Sequence, residues 1–301
     1  MSTRPTQMVP LATGVRLDTV VAGPADAPPI IFLHGFPESN RTWRHQIADL
    51  DRDHRVIAPS QRGYGLSDKP SGTGAYRIQK LTADVFALAD ALGIDRFTLA
   101  AHDWGGAVGW AAALDRPERI SRLVIANAPH PLVFQRSLVD SDAQRRASSY
   151  IRLFRVPGVE LAARIYGLER LYDRLFGRQF RRGLIDPGER QRTLADWRRP
   201  GALTAMLNWY RAAPFAVPRP GRPARRPEWT LAPFPRITVP TLVVWGTRDD
   251  ALLPLQLDGL DTLVDDLSVE RIDAGHFVPW EAPDAVTAAI RSFLAARPTT
   301  P

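Results

Sequence analysis

The 301-residue sequence predicts an α/β chain: a mostly parallel central sheet flanked by helices, with an all-helical cap inserted into it. Three observations predict this. Short apolar runs alternate with helix-period segments through the first half; a long middle stretch has helical periodicity and no strand signal; apolar runs then resume. The expected division is a first core part at 1–134, a cap at 135–230 and a second core part at 231–301.

The elements follow in order. Val15–Val21 and Pro29–Leu33 read as strands joined by the turn-rich GPADAPP, and Arg55–Pro59, Phe97–Ala101 and Leu123–Ala126 as further strands. Between them, Ser39–Leu50, Ile78–Leu92 and Gly105–Arg116 have helical spacing. Ser39 or Asn40 can cap the first of these, and Gly93 ends the second. From Ser137 to Arg211 the pattern is purely helical. Pro214 to Pro240 is too dense in proline for regular structure. Thr241–Trp245 and Ser268–Ile272 restore the strands, with helices at Leu255–Val264 and Pro283–Ala296.

At 45% hydrophobic and 24% charged the composition is that of an ordinary globular protein. The absence of cysteine excludes disulfides and thiolate metal sites. MSTRPTQMVP has no apolar leader core, and no apolar run approaches membrane-spanning length, so a cytoplasmic protein without a membrane partner is expected. The net charge of +7 is carried almost wholly by arginine, concentrated between Arg145 and Arg226, where 19 arginines face six acids. These arginines lack the interleaved aromatics of a nucleic-acid groove and read as a solvated helical surface, so no nucleic acid is expected as partner.

The segment Leu99-Ala-Ala-His-Asp-Trp-Gly-Gly106 carries the strongest chemical signal. A β-run ends, one side chain stands at the apex of a sharp turn, and a helix starts among small residues. That is the pattern of a nucleophile elbow, with Asp103 at its apex. A carboxylate there can attack carbon and leave an ester on the enzyme; alternatively it merely caps the helix. His34-Gly-Phe-Pro37 follows the strand ending at Leu33. In proteins with such an elbow, this loop and the residue after the nucleophile supply oxyanion donors, here the N–H groups of Phe36 and Trp104.

Of the histidines at 34, 45, 54, 102, 130 and 276, His276 sits in Ala274-Gly-His-Phe277 after the last strand, where a general base belongs. His45 and His54 flank a surface helix; His34 and His102 adjoin the two turns and brace them. The acid that orients the base falls in Trp245-Gly-Thr-Arg-Asp-Asp-Ala-Leu252, as Asp249 or Asp250. Asp249 is preferred, since the other customary location reads Ala126-Asn127-Ala128 and Asn127 carries no charge.

Together these residues resemble the epoxide hydrolase branch of the α/β-hydrolase fold, over nearly the whole chain from His34 to His276. HGFP, HDWGG, DDAL and AGHF match that family's motifs, RGYGLSDKP at 62–70 matches its loop, and Ala101 departs from a customary glycine. The resemblance implies two lid tyrosines: Tyr150, seven residues before Pro157-Gly-Val159, and Tyr210 in Asn208-Trp-Tyr-Arg211. Epoxide opening creates an alkoxide, and a phenol protonated at neutral pH can supply its proton. Tyr166 and Tyr172 show that lid tyrosines also arise as helix core.

The implied function is hydrolysis of a small apolar epoxide by water to a vicinal diol through an ester on Asp103, with His276 and Asp249 activating the water and no metal or organic cofactor. Phe36, Pro37, Trp104, Phe154 and Trp209 would form an apolar pocket in a monomer or homodimer. Two rivals remain. Haloalkane dehalogenases share the aspartate but usually carry Asn where Phe36 stands, and a non-catalytic hydrolase-fold binding protein could keep the same residues.

Overall fold

A computed structural model describes residues 4–296, so the outermost residues of the expected core, 1–3 and 297–301, lie outside the described residues. Eight strands are found among the described residues: β1 (Thr6–Pro10), β2 (Arg16–Ala22), β3 (Pro29–Leu33), β4 (Arg55–Pro59), β5 (Phe97–His102), β6 (Ile120–Ala126), β7 (Thr241–Gly246) and β8 (Leu267–Ile272). They form one sheet in the order β1-β2-β4-β3-β5-β6-β7-β8. The β1–β2 and β2–β4 pairs are antiparallel and the rest parallel. Strand order reverses between β3 and β5, and the carboxyl ends of strands open a crevice at such a reversal.

Alternation along each strand divides the core. Ile31, Leu33, Leu99, Ala101, Leu123 and Ile125 point to one face, while Ile30, Phe32, Ala100, Val124 and Ala126 point to the other. On the core, α1 (Arg44–Leu50), α2 (Ile78–Ala91), α3 (Trp104–Asp115), α11 (Val278–Glu281) and α12 (Pro283–Ala296) cover the sheet. Between β6 and β7 the chain runs through α4 (Pro131–Asp140), α5 (Asp142–Ala147), α6 (Tyr150–Phe154), α7 (Val159–Tyr166), α8 (Leu168–Arg181), α9 (Pro187–Arg198) and α10 (Ala202–Ala212). Tyr172, Phe176, Trp197 and Trp209 of this insertion belong to the same buried cluster as Leu33 and Leu99, so it packs on the sheet as one continuous core.

Three local readings need correction. β1 has no counterpart in the sequence reading, because only Val9 of its five residues is buried and it pairs at the sheet edge. Leu255–Val264 is two separate 3-10 turns, Pro254–Leu257 and Leu260–Thr262, divided by Gly259 at φ +74°. The first helix opens as a 3-10 turn at Asn40–Trp43, with Ser39 accepting the Arg41 N–H at 3.4 Å.

The arginine surplus also has a structural use. Proline has no N–H to offer, so the return segment from Pro214 presents carbonyls that need donors from elsewhere. Arg155 donates to the carbonyls of Ala213 and Phe215 at 3.0 and 2.8 Å. Arg152 reaches Pro218 at 2.9 Å, Arg145 reaches Arg222 at 2.8 Å and Arg136 reaches Thr230 at 3.2 Å. These five bonds tie an irregular stretch to the helices beneath it. Among the described residues no helix is long and apolar enough to cross a membrane.

Candidate active site

Asp103 stands between the end of β5 and the start of α3, with φ +51° and ψ −119°, a conformation that costs a non-glycine residue free energy. Its side chain makes no capping bond to α3, so the helix-cap alternative does not describe it. Instead Oδ1 accepts the Phe36 N–H at 2.8 Å, and Oδ2 lies 3.6 Å from His276 Nε2. Close packing imposes the turn. A Cβ at position 105 would sit 2.6 Å from the His34 carbonyl oxygen, and any side chain at Gly35 would collide with the Asp103 side chain. Ala101 is fully buried and fits because Gly109 faces it, where a Cβ would come within 3.2 Å.

His276 Nδ1 is 2.7 Å from Asp249 Oδ2, and Asp249 Oδ1 accepts the N–H groups of Ala251 and Leu252, each at 2.8 Å. Asp250, the other candidate, is exposed and pairs with Arg178 at 3.2 Å. The histidines beside the turns do brace them. His34 Nδ1–H donates to the Gly35 carbonyl at 2.8 Å while its Nε2 accepts the Gln61 N–H at 2.9 Å. His102 Nε2–H donates to the His276 carbonyl at 2.9 Å.

A cavity of about 720 Å³ opens between the sheet and the inserted helices, and Phe36, Pro37, Asp103, Tyr150, Phe154, Tyr210 and His276 all line it. The Tyr210 ring meets Phe36, Trp104 and Phe154 edge-on at centroid distances of 5.0 Å each, and Tyr150 at 6.1 Å. A small apolar pouch shares Asp103, Tyr150 and Tyr210 with the large cavity and adds Trp104 to its wall. Trp209 is the exception to the expected pocket. It stands behind the wall, 1% exposed, with its indole N–H on the Arg62 carbonyl at 3.2 Å. Tyr172 is a core residue as weighed, whereas Tyr166 is exposed.

Electrostatics separate the roles. Burial alone would raise the Asp103 carboxyl, but hydrogen bonding to His276, the His276 and His102 charges and the Phe36 N–H together hold it below the ordinary range. Burial lowers His276, and the two carboxylates Asp249 and Asp103 more than reverse this, lifting it well above an ordinary histidine. Burial first raises both phenols, followed by the Asp103 charge at Tyr150 and by Tyr150 and then Asp103 at Tyr210, so both stay protonated at neutral pH.

Asn127 is a residue that sequence reasoning set aside. It adopts φ +38°, donates from Nδ2 to Asp249 Oδ2 at 2.7 Å and accepts the Gly246 N–H at 2.7 Å. The only signal for it was its place directly after β6, beside the acid loop. Glu38 is another: its carboxylate lies 3.3 Å from His102 Nδ1 and accepts the Trp280 indole N–H at 2.7 Å. Among the described residues no three His, Asp or Glu side chains are grouped to hold a metal ion.

Comparison with known proteins bears on the family and the fold. The profile of the alpha/beta hydrolase fold family matches residues 28–283. An AB hydrolase superfamily protein of Bacillus subtilis, YfhM, is 36% identical over 93% of this chain and 95% of its own. A solved structure described among novel epoxide hydrolases from metagenomes of hot environments superposes with a TM-score of 0.88 at 45% identity, covering 97% of this chain and 99% of that one. The inhibitor-bound epoxide hydrolase of Bacillus megaterium gives a TM-score of 0.86 at 30% identity, covering 96% and 100%.

Proposed function

This chain belongs to the epoxide hydrolase family of the α/β-hydrolase superfamily, and we propose that it hydrolyses an oxirane to a vicinal diol through a covalent ester on Asp103. The observation that carries the reading is the convergence of Asp103, His276, Tyr150 and Tyr210 on one cavity. Oδ1 of Asp103 is engaged by the Phe36 N–H, and Oδ2, 3.6 Å from His276 Nε2, is the oxygen that attacks a ring carbon. The carbon–oxygen bond of the oxirane breaks as the ester bond forms, and the departing oxygen takes its proton from Tyr150 or Tyr210. The negative charge thereby leaves Asp103. One influence that weakens the phenols as acids is removed at the moment they must donate.

In the second half, His276 Nε2 takes a proton from water while the hydroxide adds to Cγ of the ester. Oδ1 becomes the oxyanion, already on the Phe36 N–H, with the Trp104 N–H at the start of α3 as its second donor in this scheme. Collapse expels the diol oxygen, which receives the proton held by His276, and the Asp103 carboxyl left behind gives its proton to the phenolate formed in the first half, which restores both the carboxylate and the phenol. Esterification also neutralises one of the two carboxylates that raise His276, so the imidazole is more easily neutral when it must act as a base.

The test compares styrene oxide with bromobutane and includes the His276→Gln variant. Styrene oxide should be converted to its diol, bromobutane should not, and His276→Gln should accumulate a protein species heavier by one substrate. Turnover of bromobutane in preference, or no adduct on that variant, would overturn the proposal.

A further inference from the structure

Helix α8 presents one face to the large cavity. Leu171, Arg174, Leu175 and Arg178 line it, as does Arg182 immediately after the helix, at the spacing of three or four that keeps side chains on one side. The apolar members of this face continue the wall formed by Phe154 and Phe277. The charges near the mouth are mostly committed. Arg178 pairs with Asp250 at 3.2 Å, Arg248 with Asp273 at 2.7 Å, and the Arg152 guanidinium donates to the Pro218 carbonyl. Glu281 accepts the N–H groups of Gly275 and Phe277 at 3.0 and 3.3 Å.

Arg174 and Arg182 differ: among the described residues neither guanidinium has a carboxylate, carbonyl or ring partner, and both line the cavity that holds the nucleophile. Arg164 and Arg170 are equally uncommitted but lie outside the cavity wall. We infer that the substrate is amphipathic, with its oxirane at Asp103, an apolar chain along Leu171 and Leu175, and a distal anionic head group, a carboxylate or phosphate, held by Arg174 and Arg182. A guanidinium fork matches either group. The surplus of positive charge across the inserted helices draws such an anion toward the mouth. This deepens the epoxide-hydrolysing reading and rests on it.

The test uses the terminal epoxide of a straight-chain carboxylic acid, its methyl ester, the matching epoxyalkyl phosphate, and styrene oxide. At low ionic strength kcat/KM for the acid should exceed that for the ester about tenfold, mainly through KM, and the gap should narrow with added salt. The phosphate arm ranks the two head groups, and preference for either anion over the ester supports the site. Arg174→Gln/Arg182→Gln should bring the acid-to-ester ratio close to one, and Arg174→Lys/Arg182→Lys should restore most of it. Matching thermal melts report an intact fold. Turnover of ester and styrene oxide with no preference for an anion, or a ratio untouched by the double Gln variant, would overturn this inference alone. Failure to turn over any epoxide would overturn the underlying reading instead. Calorimetric binding of the dihydroxy acid, weakened about tenfold in the double Gln variant and equal to parent if the inference is wrong, decides the head-group site in that case.

Discussion

Replacing Asn127 by alanine should damage both the fold and one half of the reaction. The side chain is fully buried and makes two bonds of 2.7 Å, one to the Asp249 carboxylate and one from the Gly246 N–H. Losing a hydrogen bond to a charged group costs about 1.5–3 kcal/mol, and the stranded Gly246 N–H costs about 1–3 more. The left-handed φ of +38° adds about 1 kcal/mol for alanine, which lacks asparagine's tolerance of it. Destabilisation of about 3.5–7 kcal/mol by urea unfolding is therefore expected. If the 1.5–3 kcal/mol that fixes Asp249 is also lost when His276 becomes an imidazolium, hydrolysis of the ester slows about 10–100-fold. Formation of the ester does not use His276 as a base and should change far less. Rapid mixing with an epoxide that reports both steps separates them. Equal slowing of the two steps, or hydrolysis within twofold of parent, would refute the reasoning.

Tyr150→Phe and Tyr210→Phe should each slow ring opening and leave ester hydrolysis nearly intact, and the double variant should lose the full general-acid contribution of about 10²–10⁴-fold and nearly abolish opening in a stopped-flow assay. Gly35→Ala should remove nearly all turnover, because the added methyl lands on the Asp103 side chain; parental kcat would contradict that packing. Acid should destabilise the fold through His34 and His130, whose burial lowers them to about 4 and about 3. Both are depressed below the unfolded value of about 6.5, so their contribution is full above that pH and is lost as pH falls toward the folded values, at up to about 1.4 kcal/mol per pH unit for each. In His34→Gln the pH slope of urea stability below pH 6.5 should be shallower, and an unchanged slope would exclude His34.

How much was legible in the sequence follows from which forces act locally. β3 and β4 coincide with their apolar runs because both faces of a parallel strand are buried, so the pattern alone delimits them. The elbow was legible because a sharp strand-to-helix turn demands small residues, and Gly105 and Gly106 stand there for steric reasons seen in the structure. β1 was not, since an edge strand with one buried residue leaves almost no periodic trace. Nor was the wall of the cavity. Trp209 and Tyr210 are adjacent letters, and only the rotation of α10 on the sheet decides that Tyr210 meets the cavity while Trp209 turns away. Asn127 escaped for a different reason: it was judged for the charge it lacks, whereas its amide serves by holding the residue that has one.

The same distinction bears on why the site tolerates a strained aspartate at all. Held at φ +51°, Asp103 would relax if it were only a surface turn residue, but four constraints meet on it. The Phe36 N–H fixes one oxygen, the imidazole of His276 faces the other, Gly35 packs against the side chain with no room for a methyl between them, and the close approach of Gly105 to β3 fixes the backbone. Each comes from a strand end or the loop after it, on neighbouring strands at the reversal of the sheet or beyond it. A carboxylate so confined cannot turn away to form a cap or a surface ion pair. What stays open to it is the cavity, whose wall also carries His276, Tyr150 and Tyr210.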